Sequence, residues 1–152
     1  MRVLIADDHH VIRQCISSIL HSRKNIRVCG EAVDGKEAVA KARLLKPDLL
    51  ILDISLPDLS GLEVATAIRA FLPKVPILLL SAYGGEQLSE EVRQLGFQGF
   101  ISKGDDWAAG KGTSGQRGTR LWNAIFDHNL IPGILVENHV LTGRSSCQSF
   151  NR

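Results

Sequence analysis

Four continuous apolar runs, VLIA at 3–6, LLIL at 49–52, ILLL at 77–80 and GFI at 99–101, are each followed at once or one residue later by a polar or charged side chain. A run without polar alternation is the mark of a strand buried on both faces, the condition of strands in a parallel sheet covered by helices. Residues 26–33 read as a further strand of lower apolar content, which belongs nearer a sheet edge. The segments between these runs change to helical spacing. Val11, Ile12, Cys15, Ile16, Ile19 and Leu20 form one stripe, and Ala38, Val39, Ala42 and Leu45 a second one ended by Pro47. Asp34 with Glu37 has the form of a helix N-cap, and Ser60 with Glu63 that of a capping box opening a helix with Leu62, Ala65, Ile68 and Leu72 on one side. Residues 86–95 make a shorter helix before a fifth strand at 98–102. Strand and helix alternating in this way predict a doubly wound α/β fold with right-handed crossovers.

The residues that end the runs carry the chemistry. Asp7 and Asp8 follow the first run, Asp53 the second, Ser81 the third, and Lys103 lies just past the last. In an open parallel sheet, ligands bind at the carboxyl ends of the strands, so these side chains are expected to meet at one rim. An isolated Asp after a strand is usually a turn former or helix cap. Five such coincidences on one edge favour a site instead. Oxygen-only carboxylate ligands suit Mg²⁺, which also offsets their mutual repulsion. Asp53 is then a nucleophile able to take a phosphoryl group on a carboxylate oxygen, with positioning and charge neutralisation doing most of the work.

Composition narrows the alternatives. A net charge of +2 over 152 residues argues against a strongly basic nucleic-acid surface. No apolar run approaches the roughly 20 residues of a membrane span, and the N-terminus reaches carboxylates too early for a secretory signal. Cys15, Cys29 and Cys147 have no metal-ligand spacing; the first two are expected in the core, and a cytoplasmic setting is expected for the chain. His9 and His10 adjoin the acidic pair, but neighbours that open a helix point in different directions, so neither is expected to ligate a metal.

Residues 1–103 resemble the receiver domain of bacterial two-component response regulators, of the NarL/LuxR-type subgroup, through VLIADDHHVIR, EAVDGKEAVAKARLLKPDLLILDISLPDLSGLEVA, PILLLSAY and GFISKG. The resemblance implies a flavodoxin-like (CheY-like) five-stranded parallel sheet in the order 2-1-3-4-5. It implies that Asp53 is the phosphoacceptor, and that Asp8, Asp53 and the backbone carbonyl of Ser55 bind Mg²⁺ while Asp7 supports the metal through its waters. Ser81 and Lys103 would contact the phosphoryl group, Phe100 would be the aromatic switch partner of Ser81, and Pro57 and Gly61 match the loop and helix start after the acceptor. Ser55 and Tyr83 would tune dephosphorylation. The implied partner is a sensor histidine kinase, with a homodimer through residues 86–102 and the following helix. The implied activity is a signalling switch with only self-catalysed phosphotransfer and autodephosphorylation, serving transcription regulation in a full-length parent. A stand-alone receiver acting through protein contacts is the alternative.

Beyond Lys103 the pattern departs from that family. Residues 104–118 contain five glycines and read as an irregular loop; residues 119–130 form a closing helix of weak amphipathicity, completing a receiver over 1–130. Residues 131–152 read as a short atypical tail without a helix-turn-helix pattern, so DNA contact is expected only through an output domain outside this chain. That tail suggests a truncated or frameshifted reading of a longer regulator.

Overall fold

Stacked apolar side chains on both faces of the strands decide the architecture. The computed structural model describes residues 1–21, 24–82 and 99–103. Within these, β1 (Arg2–Ala6), α1 (His10–His21), β2 (Arg27–Ala32), α2 (Gly35–Leu45), β3 (Leu49–Asp53), α3 (Gly61–Arg69), β4 (Ile77–Ser81) and β5 (Gly99–Ser102) follow one another. All strand pairs are parallel and the order is β2-β1-β3-β4-β5, as the resemblance implies. The helix expected at 86–95, the loop at 104–118, the closing helix at 119–130, the tail at 131–152 and Tyr83 lie outside the described residues.

Alternate residues of β1, β3 and β4 feed two cores. Leu4, Ala6, Leu50, Leu52, Ile77 and Leu79 pack with Ala38 and Ala42 of α2 and Val64, Ala65 and Ile68 of α3. Val3, Ile5, Leu49, Ile51, Leu78 and Leu80 pack on the opposite face with Ile12, Ile16 and Leu20 of α1. Helices therefore cover both faces, which is why the runs 3–6, 49–52 and 77–80 are apolar throughout. At the edge, β2 is mostly half-buried, and its register with β1 skips Cys29, since Val3 faces Val28 and Leu4 faces Gly30.

Local signals set the helix starts. Asp34 accepts a hydrogen bond from the Glu37 N–H at 2.7 Å, and Ser60 and Glu63 close the expected capping box. Two helical readings shift. The buried face of α1 is Ile12, Arg13, Ile16 and Leu20, whereas Val11 is 61% exposed and Cys15 only half-buried. Cys29 is half-buried as well, so neither cysteine is a full core residue. In α3 the inward face is Val64, Ala65 and Ile68, with Leu62 half-buried; the helix ends at Arg69 and Leu72 N–H closes a turn onto the Ile68 carbonyl. Pro73, which disfavours helix at the residue before it, follows that turn. No helix among the described residues is long and apolar enough to cross a membrane.

Candidate functional site: an acidic pocket at the carboxyl edge

Parallel strands that start level deliver their last residues to one rim. Asp53 ends β3 beside Leu80, Ser81 ends β4 beside Ser102, and Asp7 and Asp8 follow β1. Asp7 and Asp53 are buried, Ser81 is buried, and Asp8 is exposed at the mouth. Lys103, one residue past β5, is held by its backbone N–H on the Ser81 carbonyl. Its ammonium lies 2.6 Å from Asp7 Oδ2 and 2.6 Å from Asp53 Oδ2. Ligand atoms of Asp7, Asp8, His9 and Asp53 fall within 4.8 Å of one another. Asp7, Asp8, Asp53 and Lys103 therefore meet at one rim, and strand register puts the Ser81 backbone at the same edge.

Two buried like charges at that spacing repel by on the order of 3 kcal/mol at an effective dielectric constant of about 20. Among the described residues, one ammonium faces the two buried carboxylates and the exposed third. Asp7 Oδ2 and Asp53 Oδ2 make no well-aligned hydrogen bond, so the Lys103 charge is their compensation. Burial pushes Asp7 above the ordinary carboxylate range; the Lys103 ammonium and the His9 N–H pull the other way, and the Asp53 charge adds to the rise. Three clustered carboxylates that, among the described residues, share one lysine ammonium present the oxygen ligands that suit a small hard cation.

The loop after Asp53 is tightly specified. Ser55 N–H donates to Asp53 Oδ1 at 3.2 Å, Gly61 N–H donates to the Ile54 carbonyl at 2.8 Å, and Ser55 bridges Ser60. A Cβ on Gly61 would collide with the Asp53 carbonyl and with Ile54 Cα, both backbone atoms that cannot yield. Glycine is thus required where α3 starts against the end of β3. Asp58 extends the loop toward α2, its carboxylate accepting from the N–H groups of Gly35 at 2.6 Å and Lys36 at 3.0 Å. Phe100 lies in β5 opposite Leu79, with only its backbone described.

Three participants were not expected from the sequence. His9 does turn toward the carboxylates: its Nδ1 lies 2.6 Å from Asp8 Oδ1 and 3.3 Å from Asp7 Oδ1, while its backbone N–H donates to Asp7 Oδ1 at 2.8 Å. Asp58, in the loop after β3, was not singled out. Arg13 is buried under the acidic turn, a position signalled only by a basic residue adjoining the apolar stripe of α1.

A doubly wound sheet in this order, with carboxylates and a lysine gathered at its carboxyl edge, defines the receiver class of α/β domains. Residues 3–108 match the response regulator receiver domain family, and the chain belongs to that family. It is 38% identical over 103 residues to the response regulator protein VraR of Staphylococcus aureus, an alignment covering 68% of this chain and 49% of VraR. The chain spans about half the length of the curated relatives it matches. The signal receiver domain of NarL from Mycobacterium tuberculosis is 28% identical with a TM-score of 0.66, covering 82% of this chain and 96% of that one. A chain of the CheX–CheY–BeF3–Mg²⁺ complex from Borrelia burgdorferi is 29% identical with a TM-score of 0.64, covering 80% and 89%. The chain is therefore a response-regulator receiver over residues 3–108.

Proposed function

We propose that Asp53 is the phosphoacceptor of a Mg²⁺-dependent phosphorylation switch, fed by a sensor histidine kinase. The observation that carries this reading is the buried Asp53 carboxylate flanked by the Lys103 ammonium at 2.6 Å, with Asp7 and Asp8 beside it. In the transfer, an Asp53 carboxylate oxygen forms a bond to phosphorus as the phosphorus–nitrogen bond of a phosphohistidine breaks. The imidazole leaves with its electron pair and takes up a proton. In this reading Lys103 pairs with the phosphoryl oxygens, and Ser81 donates its hydroxyl to one of them. Asp8, Asp53 and the Ser55 carbonyl would hold Mg²⁺, with Asp7 behind them; the cation supplies neutralising charge to carboxylates and phosphate alike. The CheX–CheY–BeF3–Mg²⁺ complex, whose matched chain is 29% identical, supports that assignment.

Phosphorylation adds roughly −1.5 to −2 charges beside Ser81 and Lys103. In this reading the Lys103 ammonium shifts from Asp7 toward the new phosphoryl oxygens, Ser81 is drawn inward, and Phe100 follows, altering the surface of residues 86–102. Ser55 and Tyr83 would set the rate of phosphate loss. That surface would serve a homodimer, with DNA reached only through an output domain. The switch turns over no metabolite, and its only chemistry is gaining and losing its own phosphoryl group in a cytoplasmic setting.

The test is acyl-phosphate formation on the 152-residue chain with acetyl phosphate and MgCl2, read by intact mass and by lability in base. Wild type is expected to be labelled only with Mg²⁺, and Asp53→Asn not at all. A folded wild type that stays unlabelled, or an Asp53→Asn chain labelled as well as wild type, would overturn the reading.

A further inference from the structure

We propose that Arg13 is a positioning residue for the acidic rim: its buried guanidinium holds the peptides of Asp7 and Asp8 so that their carboxylates stand ready for a divalent cation. This rests on the metal-dependent reading above.

An arginine on an inward helix face, 7% exposed, is costly unless every donor matters. Here Nη1 donates to the Asp7 carbonyl at 2.8 Å and lies 3.3 Å from the Asp8 carbonyl, while Nε donates to Glu31 Oε2 at 2.9 Å. Glu31 is in turn fixed by β2, and its own carbonyl accepts from Lys41. The Asp7 peptide is thus held at both ends, its N–H on the Ala32 carbonyl at 3.1 Å and its carbonyl on Arg13. Neither bond uses a carboxylate oxygen of Asp7 or Asp8. Arg13 therefore occupies the backbone of the acidic pair and leaves their side chains to the pocket.

The charge pattern separates geometry from simple attraction. Glu31 pairs with Arg13 at 2.9 Å, so the guanidinium charge is partly balanced within the pair. Its contribution is preorganisation, which a planar fork supplies and an ammonium does not. Arg13→Lys keeps the charge but cannot span two carbonyls and a carboxylate together. The consequence falls on cation affinity, as with other groups that orient metal-binding side chains from behind.

The experiment measures Mg²⁺ binding by isothermal titration calorimetry, alongside urea unfolding without metal, on the full chain. Arg13→Lys is expected to weaken Mg²⁺ binding by about tenfold and Glu31→Ala by about threefold. The control is Arg43→Ala, which removes a guanidinium stacked 4.3 Å over Phe71 at the other end of the sheet. It is expected to lose stability yet bind Mg²⁺ within about twofold of wild type, the result that a merely structural loss gives. If Arg13→Lys does not fold, Glu31→Ala decides, because Glu31 is part-exposed on the edge strand. Binding within about twofold of wild type in the folded variants overturns the role of Arg13 and leaves the metal-dependent reading standing. A folded wild type that binds no Mg²⁺ overturns that reading and this inference with it.

Discussion

Asp7 shows how the rim stores electrostatic cost in one side chain. Burial raises its pKa, so the folded chain holds a proton at pH values where the unfolded chain has released it. Without metal, this group's stabilising effect is complete below the unfolded-state pKa and is lost as pH rises through the raised value. Urea midpoints of the metal-free chain should therefore climb as pH is lowered through that raised range. Asp7→Asn, neutral at every pH, should flatten the climb and raise the midpoint at neutral pH. Mg²⁺ requires the ionised carboxylate, so its affinity should fall over the same range as pH drops. Calorimetric titrations from neutral pH downward check this, and an affinity that does not fall with pH while the chain stays folded would contradict it.

Among the elements, helix ends were the part most legible in the sequence, because capping is settled within four residues. Asp34 with Glu37 and Ser60 with Glu63 close as their spacing implies. Ser60→Ala should cost about 1 kcal/mol in chemical denaturation. Lys46 ends α2 in the left-handed region with φ 46°, so Lys46→Gly should stabilise the fold by about 0.5–1 kcal/mol, read in the same assay. The phase of α1 was less legible. A stripe of apolar letters puts Val11 inside and Arg13 outside, but the partners of Arg13 are the carbonyls of Asp7 and Asp8 and a carboxylate 18 positions away on β2. Such long-range polar partners leave no periodic trace. The rim itself was legible because a polar residue closing a wholly apolar strand can only face the sheet's end. That Lys103 bridges Asp7 and Asp53 depends on where β5 stops, which letters alone do not tell.

Across the whole molecule, the two cores hold rigid a rim that is unfavourable by itself, and metal binding returns part of that energy. The two contributions can be separated. Ile51, fully buried in the middle of β3, should cost about 2–5 kcal/mol when cut to Ala, while Leu44→Ala, at a position 80% exposed, should change stability by no more than about 0.5 kcal/mol. Ligand linkage adds stability only to the folded state, by about 2.7 kcal/mol when free Mg²⁺ is a hundredfold above its dissociation constant. Because Ile51 lies in the core and the carboxylates at the strand ends, that increment should be the same in wild type and in Ile51→Ala. In Asp8→Ala, which removes an exposed carboxylate and no core contact, the increment at the same Mg²⁺ concentration should shrink. Paired urea titrations with and without Mg²⁺ on the four chains, including Leu44→Ala, measure each increment. An Ile51→Ala chain that remained cooperative yet gained nothing from Mg²⁺ would mean that the rim is not set by the local ends of the strands but by the packing beneath them.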